Sequence, residues 1–443
     1  MKWEEIPSHL VELGIKFGAT DVAANLIELD QTMIRFSNNE VTASKNFHEV
    51  MINVFVMIEK QRAGSTFSIL SSKALERAMK KLVEMAKVSP PADVYAPLPK
   101  GPFKYDPALL RSPRVSSDPN ELVNYVREAI GGASKSGAKR VAGSLTLTNA
   151  SMVLETSSQA SAVQRRSSLE MSVRAFVSEV ASGHSLSIAQ SKRDFEPAEA
   201  GRRAGEIAKM ALNPREGQSG SYTALLGPMV FAHFVNQVGV QSSAFMVDAG
   251  QSFLIDKLDS RVASDKFTLI DDPTLMGTYG MRAFDDEGVP TKRNIIVEKG
   301  ILKTYLHNST TAKKFGAETT ANAGLIMPTP WNLVVEPGEK PFEETLSEID
   351  DGIYVTNNWY LRYQNYQKGD FSTIPRDGMF QIKNGQIANP VRDLRISDNM
   401  LKIFQNVREL SKERLWIKWW EVPIPTLAPY AIVEDLNFTK STM

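Results

Sequence analysis

The chain contains no cysteine. Disulfides, thiolate nucleophiles, iron–sulfur clusters and every zinc site that uses a thiolate are therefore excluded. It has only five histidines, His9, His48, His184, His233 and His307, so soft metal ligands are scarce. It has no charge surplus either: 51 Lys and Arg stand against 51 Asp and Glu. General nucleic-acid binding needs excess cations to displace counterions from phosphates, so direct nucleic-acid contact is not expected. No uninterrupted apolar run reaches the length of a membrane span, and the N-terminus, MKWEEIPSHLVELGIKFG, mixes charge through its apolar positions. It is not a secretory signal, so a cytoplasmic protein is expected. No GxGxxG follows a strand, and GxxxxGK[ST] and GxSxG are absent, which leaves no nucleotide fold and no recognisable serine nucleophile.

At 443 residues, more than one core is expected. Residues 1–89 read as an N-terminal α/β domain. A helix over Ile6–Phe17 precedes strand-like stretches at Ala23–Glu28, Thr32–Ser37 and His48–Glu59, and Val50, Ile52, Val54, Val56 and Ile58 alternate in the last. A helix from Ser71 or Ser72 to Lys87 follows, with Leu75, Ala78, Met79, Leu82, Val83 and Ala86 on one face. Residues 90–118 are proline-rich and read as a linker over the surface. Residues 119–216 read as a middle β-plus-helix domain. Its first helix begins with Asp118 as N-cap and Pro119 at the first position, and is expected to end near Ala129, before GGASKSG. A strand-rich block over Arg140–Lys192 and a helix over Pro197–Leu212 complete it.

Residues 217–443 read as a mostly β C-terminal domain with hairpins turning at Lys299-Gly300 and Asn384-Gly385. Strand runs with helices grouped separately point to an α+β fold of antiparallel sheets.

Three features invite chemistry. GPMVFAHFVNQVGVQSSAF, Gly227–Phe245, predicts an apolar helix carrying His233. A zinc-peptidase helix needs a second histidine one turn on and a glutamate beside the first. Phe234 and Gln237 stand there instead, so His233 reads first as a buried histidine with a hydrogen-bond partner and only weakly as a ligand. The acids Asp285, Asp286 and Glu287 could hold a hard cation, although such a run beside Gly288 reads more readily as a solvated turn. Trp416, Trp419 and Trp420 fit a core and a partner surface equally well.

FDDEGVPTKRNIIVEKGILKTYLHNSTTAKKFG, Phe284–Gly316, and GDFSTIPRDGMFQIKNGQIANPVRDLRIS, Gly369–Ser397, resemble the TldD/PmbA family. Gly18–Asp21 and the AGSTFS turn resemble it too. The family was first named as a modulator of DNA gyrase and is associated with peptide processing by a zinc-bearing TldD subunit paired with a TldE (PmbA) subunit. Its catalytic subunit carries His-Glu-x-x-x-His on the helix matching Gly227–Phe245, with a later cysteine ligand. Here Phe234 and Val238 replace the glutamate and the second histidine, and no cysteine exists.

The resemblance therefore implies a non-catalytic TldE-like subunit with no cofactor of its own and zinc in its partner. That partner is a TldD-like protease subunit, and unfolded peptides are the substrates; a homodimer is allowed when the chain is alone. It also implies substrate contacts at Phe284, Asp285, Asp286, Glu287, Gly288, Gly369, Asp370, Phe371 and Ser372. The alternatives are an autonomous metallopeptidase using His233 with the acids at 285–287, and a non-enzymatic protein acting on a DNA-associated target.

Overall fold

A computed structural model describes residues 2–68, 71–324 and 326–441. The first half supplies α1 (Ile6–Lys16), β1 (Asp21–Ser37), β2 (Glu40–Ile58), β3 (Gln61–Phe67), α2 (Ser72–Val88), α3 (Pro107–Leu110), α4 (Pro119–Lys135), β4 (Arg140–Thr156), β5 (Ser161–Phe176), β6 (Ser182–Ala189) and α5 (Pro197–Met210). These strands form one antiparallel sheet in the order β3-β2-β1-β4-β5-β6. The N-terminal and middle segments, expected as separate domains, thus share a layer. Strand β1 uses one edge for β2 and the other for β4, with Ala23 opposite Thr156 and Phe36 opposite Gly143. The stretches Ala23–Glu28 and Thr32–Ser37 are parts of one long strand.

Two further expectations are corrected. Helix α4 does not stop at Ala129 but continues through Gly131 and Gly132 to Lys135. It packs against α5 at backbone distance: a Cβ on Gly132 would lie 2.1 Å from the Ala198 carbonyl, and one on Gly201 would lie 2.0 Å from that of Ala129. Glycine serves close approach here rather than termination. The proline-rich segment is not merely draped over the surface. Its Ala96, Leu98, Leu109 and Val115 are buried, and Leu98 packs with Ala23 and Met57.

The second half begins with β7 (Arg215–Glu216), β8 (Gly220–Leu226), α6 (Pro228–Gln241), α7 (Ala244–Asp248), β9 (Leu269–Asp271), β10 (Asn294–Glu298), β11 (Ile301–Leu302), α8 (Ser309–Phe315) and β12 (Leu333–Val335). It continues with α9 (Phe342–Ser347), β13 (Asp351–Asn365), β14 (Asp370–Lys383), β15 (Gln386–Arg392), β16 (Leu394–Asn399), α10 (Met400–Gln405), β17 (Val407–Trp419) and β18 (Val422–Lys440). The strand order is β11-β10-β9-β12-β18-β8-β13-β14-β15-β7, with β16 on β14 and β18 and β17 on β18. The fold is α+β, as the sequence indicates, but this sheet is mixed: β8 runs parallel to β13 and β12 to β18. The hairpins turn where expected, with positive φ at Lys299, Gly300, Asn384 and Gly385. Among the described residues no helix is long and apolar enough to cross a membrane.

Helix α6 lies across this sheet. Only Gln237 and Val240 are even partly exposed; every other residue from Pro228 to Gln241 is buried. A helix that is apolar all round belongs in a core, and each buried Phe or Val contributes about 1.5–3 kcal/mol.

Candidate functional site

His233, 2% exposed, points from α6 toward the β17–β18 turn. Its Nε2 lies 3.6 Å from Oε2 of Glu421, too far for a good hydrogen bond. The other Glu421 oxygen, Oε1, accepts the Tyr360 amide at 2.7 Å. Tyr360 sits in an irregularity of β13 with φ of 57°, which an aromatic side chain rarely adopts. Nonstandard backbone of this kind gathers at functional sites.

Burial pushes the His233 pKa down to about 4, with Asn358 opposing and Arg362 adding to the depression. Burial pushes the Glu421 carboxyl up, against the Tyr360 amide and Arg362. The pair is thus built around a neutral imidazole. His233 Nδ1, Asn358 Oδ1, Trp359 Nε1 and Trp419 Nε1 are all buried and make no hydrogen bond to the described protein.

Trp359, Trp419 and Trp420 close around one another with ring centroids 5.3–5.5 Å apart. Trp419 is buried in the core, whereas Trp420 is 57% exposed. Of the three tryptophans singled out in the sequence, Trp419 is core, Trp420 lies at the surface and Trp416 is half-buried on β17.

The residues present do not fit a zinc site. Phe234 is fully buried and packs edge-on against Phe371, with centroids 5.3 Å apart, and Val238 is buried as well. Hydrocarbon occupies the positions where a carboxylate and a second imidazole would be needed. Among the described residues no three His, Cys, Asp or Glu side chains converge.

The acid run is not a solvated turn. Asp285 is fully buried; its Oδ1 accepts the amides of Glu287 and Val289 at 3.0 and 2.9 Å, and its Oδ2 accepts that of Ala323 at 3.0 Å. Asp286 accepts from Arg282 and from Asn25, the latter at 3.2 Å. Glu287 accepts the Ser309 amide and hydroxyl at 3.0 and 2.6 Å. Burial pushes Glu287 up to about 6, with the Asp286 charge adding to it, and raises Asp285 well above the usual carboxylate range, with the Glu287 charge adding most. Phe284 is buried against Tyr105, whose hydroxyl donates to the Gly288 carbonyl at 2.8 Å. Gly288 needs its φ of 83°, and a Cβ there would meet Ala160 at 2.5 Å. Asp285 and Glu287 thus hold backbone amides, and Asp286 holds two side chains.

Gly369, Asp370, Phe371 and Ser372 form the return into β14. Gly369 has φ of 82°, Asp370 accepts from Asn399 at 2.8 Å, and Ser372 accepts from Arg395 at 3.4 Å. Only Phe371 reaches the α6 site, as its apolar floor. No hydrogen bond joins this group to Phe284–Gly288 among the described residues. His307, buried beside the α8 N-cap, faces the Thr311 hydroxyl at 3.3 Å, and burial brings its pKa down to about 4.

Sequence reasoning did not find the polar seam beside this site. Asp377 is buried and accepts from Nε and Nη2 of Arg174 and from Ser182 at 2.7 Å. Burial pushes its pKa up, but Arg174 and His184 outweigh that and hold it low. His184 Nδ1 meets the Asn357 amide at 2.9 Å and its Nε2 meets Ser172 Oγ at 2.8 Å. Because Asn357 donates, the proton of the neutral ring sits on Nε2. Glu421 lay in a visible cluster, KWWEVP, but the residues it meets are far away in sequence.

A sequence model of the PmbA/TldA metallopeptidase C-terminal domain matches residues 219–440. A metalloprotease of Methanocaldococcus jannaschii is 34% identical over 229 residues, covering 48% of this chain and 48% of that protein. Metalloprotease PmbA of Escherichia coli O157:H7 is 29% identical over 206 residues, covering 44% of this chain and 42% of that protein. The chain thus spans about half the length of the curated relatives it matches. A Thermotoga maritima structure, described as a candidate modulator of a DNA gyrase, superposes with a TM-score of 0.85 at 25% identity over 99% of this chain and 100% of the other. TldE from Thermococcus kodakarensis superposes with a TM-score of 0.83 at 19% identity over 98% of this chain and 100% of the other, a likeness of fold. With the C-terminal half matched throughout, the chain belongs to the PmbA/TldD family.

Proposed function

We propose that the chain is the non-catalytic, TldE-type subunit of a two-chain metallopeptidase, pairing with a zinc-bearing TldD-type subunit that processes unfolded peptides. The observation that carries this reading is the filling of α6: Phe234 and Val238, both buried, stand where a glutamate and a histidine would complete a metal helix. A lone imidazole with a depressed pKa has no partner set with which to hold a catalytic ion. The intact scaffold is then kept for assembly and for walls around the substrate. Peptides would be held as added strands, through main-chain hydrogen bonds that read little sequence. Exposed Trp420 and Tyr360 offer the aromatic surface that partner interfaces favour.

The test is co-expression with a TldD-type chain that carries the complete His-Glu-x-x-x-His helix. A stable complex that cleaves casein, with chelator-sensitive activity and one zinc per pair, is expected. Purified alone, this chain should hold no stoichiometric zinc and cut nothing. Zinc bound at one per chain with unaided cleavage would establish the autonomous peptidase instead.

A further inference from the structure

A second cleft, separate from the His233 site, opens where the two sheets meet. It has a volume of about 350 Å³, and its walls include Arg166 of β5, Arg282, Lys418 of β17, Tyr279 and Trp331. Its cations outnumber its acids. Arg282 donates to Asp286 and lies with its guanidinium carbon 3.9 Å from the Trp331 ring centroid. Lys418 donates to Glu170, which the Tyr279 hydroxyl also approaches at 3.4 Å. Arg166 makes no side-chain hydrogen bond or ion pair among the described residues. Three cations therefore face two carboxylates, and the unmatched one is a half-buried guanidinium.

The acids of the cleft on the other side of Arg166 do not neutralise it. Asp30 is engaged by His48 at 2.9 Å and Arg114 at 3.4 Å, and Glu28 lies 4.0 Å from His48. Burial, and then repulsion from Arg282, disfavour the charged form of Arg166. An anion in the cleft would relieve both.

Pro330, Pro423, Ile424 and Pro425 give the cleft an apolar wall, and Gly280 and Thr329 complete the lining. We infer that this cleft binds the carboxylate end of a peptide, with Arg166 as the bidentate partner and the proline and aromatic walls covering the last side chain. A guanidinium fork matches a carboxylate in shape as well as charge. One unmatched cation in a chain of zero net charge does not make a phosphate-backbone track. The choice of a peptide as ligand rests on the proposed function; the anion preference stands on the cleft alone.

The full-length chain is titrated calorimetrically with N-acetyl-Gly-Leu as the free acid, with the same dipeptide as its C-terminal amide, with inorganic phosphate, and with a thymidine decanucleotide. The acid is expected to bind at least about tenfold more tightly than the amide, a difference of about 1.4 kcal/mol. Phosphate should compete with the acid. Arg166→Gln should reduce the preference to less than about threefold without lowering the melting temperature, and Arg166→Lys, which keeps the charge, should retain part of it. Equal binding of acid and amide, no binding of the acid, full preference in folded Arg166→Gln, or tighter binding of the decanucleotide would each overturn the inference. Failure to capture a TldD-type partner would sink the proposed subunit role and leave this titration unaffected.

Discussion

Two histidines flank the same tryptophan-rich seam and share a depressed pKa of about 4, caused in both by burial. His184 is wired at both nitrogens, to Ser172 and Asn357, and through Asn357 to the Arg174–Asp377 pair. His233 has one long approach to Glu421 and an unpartnered Nδ1. Burial alone therefore does not tell the two histidines apart; the partners do. The seam around His184 joins the two sheets and must stay satisfied. His233 sits in a helix that its hydrocarbon neighbours already hold.

Breaking the wired side should give the largest effect. Asp377→Ala strands Arg174 and removes acceptors from Ser182 and Asn357, so a loss of about 3 kcal/mol is expected in urea unfolding, discounted for the partial exposure of Arg174. His184→Leu leaves Ser172 and Asn357 short of a partner and should cost about 2 kcal/mol. His233→Leu removes an already unpaired nitrogen and should change stability by less than about 1 kcal/mol in the same assay. If His233→Leu proves the costlier of the two histidine changes, the comparison fails.

Acid titration sharpens it further. Unfolded histidines take up protons below about pH 6.5, while the folded ones resist until about pH 4. The unfolded state then binds more protons, so stability falls as pH drops from 6.5 toward 4. The buried carboxyls work the other way: Asp271 and Glu287, each raised to about 6, bind protons in the folded state first and favour it as pH falls through 6. Removing either His184 or His233 should flatten the acid loss by an amount on the order of 1–3 kcal/mol between pH 6.5 and 4, read from denaturation midpoints. An unchanged slope in both variants would mean the rings are not neutral in the fold. The smallest effect is expected for Trp420→Ala. Its ring is mostly exposed, so a loss within about 1 kcal/mol should accompany any change in partner capture.

What could be read from the sequence was local. The alternation at Val50–Ile58, the two glycine turns and the start of α6 depend on neighbours along the chain, and the structure has them where they were expected, whereas α6 ends at Gln241, short of the expected Phe245. What escaped was contact across long separations. Gly131-Gly132 reads as a stop unless the Ala198 backbone is known to lie against Gly132. Asp285–Glu287 reads as a wet turn unless Ala323 and Ser309 are known to donate to it. Phe234 and Val238 stand out in the sequence against the family's metal helix, but nothing near His233 pointed to Glu421, Asn358 or Trp359 as its surroundings. Arg174 and Asp377 are ordinary surface types in sequence and become a pair, with Asp377 buried and Arg174 half-buried, only when two sheets close on them.

Strand β1, bordered on both sides, also has a consequence for synthesis. Phe36 waits for Gly143, and at ~5–20 residues per second the ribosome needs on the order of ten seconds to deliver it. For that interval the nascent chain presents a long open edge rich in β-formers, the kind of template that invites wrong pairing. Early release at the proline-rich segment would leave the edge bare for good, so truncated products should be degraded or aggregate rather than accumulate as a folded fragment.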